Sequence, residues 1–291
     1  MSSPLLIADV PWLLYRSYFA LPKSITDSEG QPVNALLGTV NALLTLVEPQ
    51  SGVEPRSVVA CMGAEEAAYR IELYPPYHAH RDPMPPELRR QWEQAPALLD
   101  ALGWNHTTSE DLEADDVMFS LARIEAAGGG SALLLTGDRD LYGAVDERVS
   151  VVELLKGGSH GLIGPAGVED RYGVRPDQVA DFIALRGDPS DGLPGAPGIG
   201  AKTAAELLCE HDTLEGAIAA ARTGTAMRPR TAGALIDNEQ LLLSFRRIAT
   251  LQLIDVELPP DGPTDFAGGA ACARELGMRA LAERLDKLAT G

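Results

Sequence analysis

Short, wholly apolar runs recur along this chain, separated by helical patterns. Leu5-Leu6-Ile7-Ala8 runs into Asp9, Ser57-Val58-Val59-Ala60-Cys61-Met62 into Gly63, and Ala132-Leu133-Leu134-Leu135 into Thr136-Gly137-Asp138-Arg139-Asp140. Runs of this length without polar alternation read as strands buried on both faces, the kind found in parallel sheets covered by helices. Helical patterns over 33–47, 92–102 and from 117 to the stop at Gly128-Gly129-Gly130 lie between them. Further strand-like runs fall at 105–108, 149–155 and 160–163, and 165–185 reads as two short helices broken at Gly173 and Pro176. This alternation predicts one α/β layered domain over residues 1–186. Beyond it the pattern turns helical, over about 204–209, 213–222, 229–238 and 239–250, so 187–291 is expected to form a second, smaller module.

With 291 residues, 45% of them hydrophobic, the chain can bury a substantial core. It has no apolar run of about 18 residues and no basic-then-apolar leader, so neither membrane insertion nor secretion is expected. Cys61, Cys209 and Cys272 are widely spaced in apolar contexts, which fits reduced thiols in a cytoplasmic protein. The net charge of −18 disfavours a diffuse polyanion-binding surface; any nucleic-acid footprint must be a local basic patch on an acidic, soluble and monomeric body.

The informative acids sit at strand and helix ends. Glu113-Ala114-Asp115-Asp116, taken alone, reads as an acidic cap on an amphipathic helix. Together with Asp9, Asp138, Asp140, Asp188 and Asp191 it becomes four clusters of carboxylates beside apolar strands. Carboxylate oxygens without His or Cys suit Mg²⁺ or Mn²⁺. Two such ions, roughly 3.5–4 Å apart, clamp the attacking and leaving oxygens of an in-line phosphoryl displacement, and the chemistry favoured is phosphodiester hydrolysis.

Residues 63–91 are rich in Pro and charge, with Tyr69-Arg70, Tyr74-Pro75-Pro76-Tyr77-His78-Ala79-His80-Arg81 and Arg89-Arg90. They read either as a partly basic segment projecting from the sheet, suited to stacking on bases, or as a Pro-rich surface loop. Arg16 reads as a surface or ion-pair residue. In Gly198-Ile199-Gly200-Ala201-Lys202-Thr203, Ala201 stands where a P-loop would need Gly before Lys, and no strand precedes it. The stretch is instead a tight hairpin whose backbone N–H groups and following helix N-terminus can take a phosphate, or simply a glycine-rich cap. Arg222, Arg228, Arg230, Arg246 and Arg247 form either a patch or a solvated scatter.

Glu113-Ala114-Asp115-Asp116, Thr136-Gly137-Asp138-Arg139-Asp140-Leu141, Gly187-Asp188-Pro189-Ser190-Asp191-Gly192-Leu193-Pro194-Gly195 and Gly198-Ile199-Gly200-Ala201-Lys202-Thr203-Ala204 resemble the signature blocks of the bacterial 5′-nuclease, or flap endonuclease, family. That group also supplies the N-terminal nuclease domain of bacterial DNA polymerase I. The likeness extends to Asp9, Arg16, Phe19-Ala20, Tyr77 and Arg81, and so to most of the chain before about residue 250. It implies a PIN-like mixed sheet flanked by helices, a helical arch over 63–91 that passes a single-stranded 5′ end, and a helix-hairpin-helix module gripping DNA. It further implies that Asp9, Glu113, Asp115 and Asp138 hold one Mg²⁺ or Mn²⁺ and Asp140, Asp188 and Asp191 a second, with Asp116 shared or behind them. Arg16, Tyr77, His78 and Arg81 would serve catalysis. Arg70, Gly195, Gly198, Gly200, Lys202 and Thr203 would contact DNA, with K⁺ or Na⁺ at the hairpin carbonyls. The expected partner is DNA with a 5′ flap or 5′ end, and the expected activity is that of a stand-alone 5′-3′ exonuclease and flap endonuclease in replication and repair.

Two positions depart from that pattern. Where the family has Phe-Asp-Ala after the second strand, this chain has Met62-Gly63-Ala64, and the lysine of Tyr-Lys-Ala-x-Arg is His78. A competing reading is therefore a structure-selective DNA-binding protein with weakened catalysis; a small-substrate phosphatase would need neither arch nor hairpin. Gly63→Asp and His78→Lys are expected to raise activity if the correspondence holds, and Glu65 or Glu66 could stand in for the missing acid.

Overall fold

The computed structural model describes residues 3–49, 51–155, 159–224 and 227–290. Six strands, β1 (Leu5–Asp9), β2 (Ser57–Met62), β3 (Asn105–Thr108), β4 (Ala132–Leu135), β5 (Val149–Leu154) and β6 (His160–Ile163), form one sheet in the order β3-β2-β1-β4-β5-β6. All neighbours are parallel except β5 and β6, which pair antiparallel. The expected mixed sheet flanked by helices is the architecture observed. β1, β2 and β4 are buried at every residue, as their unbroken apolar sequences require. The pleat sends Leu5, Ile7, Val59, Cys61 and Leu134 to one face, and Leu6, Ala8, Val58, Ala60, Leu133 and Leu135 to the other.

The first face is covered by α5 (Ala114–Ala127), α7 (Val179–Arg186) and the helices that follow; the second by α1 (Val10–Ala20), α2 (Asn34–Val47) and α4 (Pro86–Ala101). Asp9 ends β1 and caps α1 by accepting a hydrogen bond from the Trp12 backbone N–H at 2.9 Å. Short α3 (Ala68–Leu73) lies near the site, and α6 (Pro165–Tyr172) precedes α7. The helical region continues through α8 (Ala201–His211), α9 (Leu214–Thr223), α10 (Pro229–Asp237) and α11 (Glu239–Ala249). Its buried Leu207, Leu208 and Phe245 join the same apolar cluster as Leu134 and Val117, so this region extends the core rather than standing apart from it.

The segment 63–91 is partly anchored: Arg70, Tyr77 and His78 are buried and Tyr74 meets Phe245 edge to face at 5.0 Å, while residues 75–76 and 79–83 are exposed. Apolar and paired side chains hold the buried positions down. The helical stretch ends with α12 (Phe266–Glu275) and α13 (Arg279–Thr290). Their Ala270, Ala273, Leu281 and Leu285 are buried in the cluster that holds Leu43, Leu99 and Leu102. The Asp265 N–H donates to the Leu102 carbonyl at 2.8 Å, and Arg284 pairs with Glu48 at 2.6 Å, so the chain's last helices return to the outer face of α2 and α4.

Candidate metal centre

The carboxyl ends of adjacent strands bring the first acids together. Ala8 of β1 pairs with Leu135 of β4, so Asp9 and Thr136 follow side by side. The Thr136 hydroxyl donates to Asp9 Oδ2 at 2.7 Å and accepts from the Asp138 N–H at 2.9 Å; Asp138 Oδ1 in turn accepts from the Asp140 N–H at 2.9 Å. Thr136 was not singled out in the sequence, although a hydroxyl between an apolar strand and two acids was the available signal. Gly137 is required by packing: a Cβ there would lie 2.3 Å from the Trp12 ring.

At the start of α5 the three acids have different fates. Glu113 accepts from the Ala67 N–H at 3.0 Å and from the Tyr77 hydroxyl at 3.2 Å, and faces Arg70 at 2.9 Å. Asp115 is half-buried and lines the cavity among Asp9, Glu113 and Asp138. Asp116 is wholly buried, accepting from Arg70 at 3.0 Å and from the Gln252 backbone N–H at 2.7 Å. Its lone pairs join α5 to α3 and to the chain after α11, so Asp116 is a structural anchor and not a metal-facing acid. Arg70, only 4% exposed, gives its guanidinium to Glu113, Asp116 and the Ile248 carbonyl. A guanidinium inside an apolar core must be paired, and these two acids are its partners.

The loop between α7 and α8 supplies the remaining acids. Asp188 and Leu193 exchange backbone hydrogen bonds at 2.8 Å, closing a tight loop. Asp188 accepts from the Ser190 N–H at 2.8 Å, from the Ser190 hydroxyl, and from Arg186 at 3.1 Å. Asp191 Oδ1 accepts from Arg81 at 3.0 Å and meets His78 Nε2 at 3.1 Å. Gly195 is buried, and a Cβ on it would sit 2.4 Å from the Gly187 backbone nitrogen. Its sequence-level reading as a DNA contact gives way to close backbone packing that only glycine permits.

One cavity of about 990 Å³ is lined by six of the eight acids, namely Asp9, Glu113, Asp115, Asp138, Asp140 and Asp191. A neighbouring recess adds Asp188, beside Asp138, Arg81, Arg139 and Arg186. Tyr77, His78 and Arg81 line the larger cavity; so do Trp12, Tyr15 and Phe19, the last 71% exposed, which together make an aromatic wall. Arg16 is exposed and lies over the Trp12 ring at 5.7 Å, at the margin of the site. Gly198 and Gly200 are exposed at the start of α8, where Lys202 is 90% exposed and Thr203 is partly covered. Ile199, 4% exposed, anchors that turn.

The electrostatics record crowding. Burial pushes the Asp9 carboxyl up to about 6 despite hydrogen bonds from Trp12 and Thr136, and burial followed by the charge of Asp191 pushes Asp138 up to about 7. Asp115 and Asp140 are held well above the usual carboxylate range, first by burial and then by their acidic neighbours. Burial also raises the Tyr77 hydroxyl, which stays a neutral donor to Glu113. Among the described residues no three of these side chains converge closely enough to hold one ion as they stand. The donor set nonetheless fits a hard divalent cation, because clustered half-buried carboxylates with Arg70 and Arg81 as their nearby cations leave negative charge that such an ion would neutralise.

The sequence matches two family models in succession: "5′-3′ exonuclease, N-terminal resolvase-like domain" over residues 4–173 and "5′-3′ exonuclease, C-terminal SAM fold" over residues 174–264. It is 36% identical over 301 residues to a Streptomyces coelicolor 5′-3′ exonuclease, covering 96% of this chain and 98% of that protein. It is 39% identical over 236 residues to Deinococcus radiodurans DNA polymerase I, covering 81% of this chain but spanning only 24% of the polymerase. Among solved structures it superposes on T5 D15 protein co-crystallised with metal ions, with a TM-score of 0.69 at 16% identity, over 99% of this chain and 98% of that one. No described helix is long and apolar enough to cross a membrane.

Proposed function

The chain belongs to the 5′-3′ exonuclease family, and from that premise we propose that it is a structure-specific 5′-3′ DNA exonuclease and flap endonuclease using Mg²⁺ or Mn²⁺. The observation that carries this reading is the single cavity lined by Asp9, Glu113, Asp115, Asp138, Asp140 and Asp191 and bordered by Arg81 and an aromatic wall. Asp9, Glu113, Asp115 and Asp138 would hold one cation there, and Asp140 and Asp191, with Asp188 of the adjoining recess, a second. Bound there, divalent cations supply an acidified water and charge neutralisation on the phosphate oxygens. The reaction adds water across a P–O bond: an oxygen–phosphorus bond forms, the bond to the 3′ oxygen breaks, that oxygen takes up a proton, and the other fragment keeps a 5′-phosphate.

The chain's own residues contribute positioning. Thr136 orients Asp9 and the Asp138 backbone, and Arg70 with Tyr77 orients Glu113. Arg81, 45% exposed while bonded to Asp191, can reach an incoming phosphate. Trp12, Tyr15 and Phe19 offer faces on which unpaired bases can stack, at roughly 1–3 kcal/mol per base. At the hairpin, the exposed N–H groups before α8 and Lys202 would take a duplex phosphate, and the hairpin carbonyls a K⁺ or Na⁺.

A labelled 5′-flap duplex incubated with Mn²⁺ tests the proposal, with Asp138→Ala as control. Cleavage by the unsubstituted protein, lost in the variant, is expected. A shifted band with no cleavage would instead establish the competing reading, a DNA-binding protein with decayed catalysis.

A further inference from the structure

His78 stands where a family lysine would contact phosphate, yet on the cavity wall only 2% of the residue is exposed, and its ring is engaged by neighbouring side chains. Its backbone adopts φ 55°, in the left-handed region, which folds the ring inward. Two contacts of its own, and a third from Arg81, tie this segment to the acidic loop. The His78 backbone N–H donates to the Asp191 carbonyl at 3.2 Å, the ring Nε2 meets Asp191 Oδ1 at 3.1 Å, and three residues on, Arg81 reaches the same Oδ1 at 3.0 Å. Among the described residues ring Nδ1 has no hydrogen-bond partner and faces Glu66 at 3.9 Å, while Nε2 meets a carboxylate oxygen, so Nε2 is the nitrogen that donates. Meanwhile the ring stacks on Tyr77 with centroids 3.7 Å apart, and the Tyr77 hydroxyl is bonded to Glu113.

Two adjacent stacked side chains thus each hold one carboxylate of the cavity lining, Tyr77 that of Glu113 and His78 that of Asp191. Resting on the proposed nuclease reading, we infer that His78 is a positioning residue: with Tyr77 it forms a clasp that fixes Asp191 relative to Glu113 and so sets cation affinity, rather than touching the substrate phosphate. Orienting partners behind carboxylate ligands typically change metal affinity by about 10–100-fold. A lysine ammonium could make neither the ring stack nor the fixed, planar donor, so the substitution changes what this position does.

The test reads Mn²⁺ binding directly, by electron paramagnetic resonance on the full chain without DNA. His78→Asn keeps a residue that tolerates positive φ but is too short to reach Asp191; His78→Gln carries an amide nitrogen near the position of Nε2. The clasp predicts a roughly 10-fold weaker Mn²⁺ isotherm for His78→Asn, recovery to within about threefold for His78→Gln, and no further loss when His78→Asn is added to Asp191→Asn. Melting curves of each variant identify any that fail to fold, and the His78→Gln recovery then decides. Unchanged Mn²⁺ binding by His78→Asn together with weaker flap-duplex binding in Ca²⁺ would overturn the clasp in favour of a phosphate contact. Equal loss with and without Asp191→Asn would overturn it too, as would absence of Mn²⁺ binding by the unsubstituted protein. If that protein binds Mn²⁺ and follows the predicted pattern but cleaves no flap, the clasp stands and only the nuclease reading falls.

Discussion

At Gly63 the missing carboxylate has a steric cause. A Cβ there would lie 2.5 Å from the Ala114 nitrogen and 2.6 Å from the Leu112 carbonyl oxygen, while the neighbouring Ala64 N–H donates to that same carbonyl at 2.9 Å. The chain leading into α5 occupies the space an aspartate would need. Gly63→Asp, which the family pattern marks as activating, is therefore expected to cost about 2–4 kcal/mol in urea unfolding and to leave Mn²⁺ affinity no better. Full stability with tighter Mn²⁺ binding would show that the 112–114 backbone yields. Arg70 is the second residue whose role changed. Arg70→Ala leaves the buried Asp116 and the half-buried Glu113 without their cation, and the expected loss is about 3–5 kcal/mol of stability. A normal melting curve with weakened DNA binding would restore its reading as a DNA contact.

Among the elements, the turn from α7 to α8 has two jobs. Its first half is built by backbone proximity: Gly187, at φ 85°, and Gly195, at φ 67°, pass too close for side chains and fold the loop that carries Asp188 and Asp191. Its second half is open, with Gly198, Gly200 and Lys202 exposed at the head of an 11-residue helix. The glycine spacing in the sequence marked a turn but could not separate these jobs, because which glycine meets another backbone depends on where α7 ends. Lys202→Ala is expected to weaken flap-duplex binding a few-fold and to flatten the slope of log affinity against log salt by about one, without altering cleavage at saturating DNA. An unchanged salt slope would remove α8 from the proposed duplex contact.

Over the whole molecule, the acids dominate the balance with pH. Asp9 at about 6 and Asp138 at about 7 in the folded chain compare with an ordinary value of 3.8, so between roughly pH 4 and pH 7 the folded state binds more protons than the unfolded state. Stability of the ion-free protein must then fall as pH rises through that window. With chelator present, the melting temperature is expected to drop by roughly 5–10 °C from pH 5 to pH 8, and millimolar Mn²⁺ to reverse the trend by favouring the ionised carboxylates. A melting temperature rising with pH in chelator would show the acids to be relaxed without metal. The strands and the clustering of acids at their ends were legible because unalternated apolar runs are buried on both faces, and because a carboxylate beside such a run needs a reason to be there; their order around β1 came from the structure. Tertiary structure alone decided that Asp116 and Arg70 face the core, that Gly63 has no room for a side chain, that His78 turns inward, and that the last two helices return to α2 and α4. Each of those depends on which distant backbone or counter-charge occupies the next few ångströms, and nothing in the local order of residues encodes that distance.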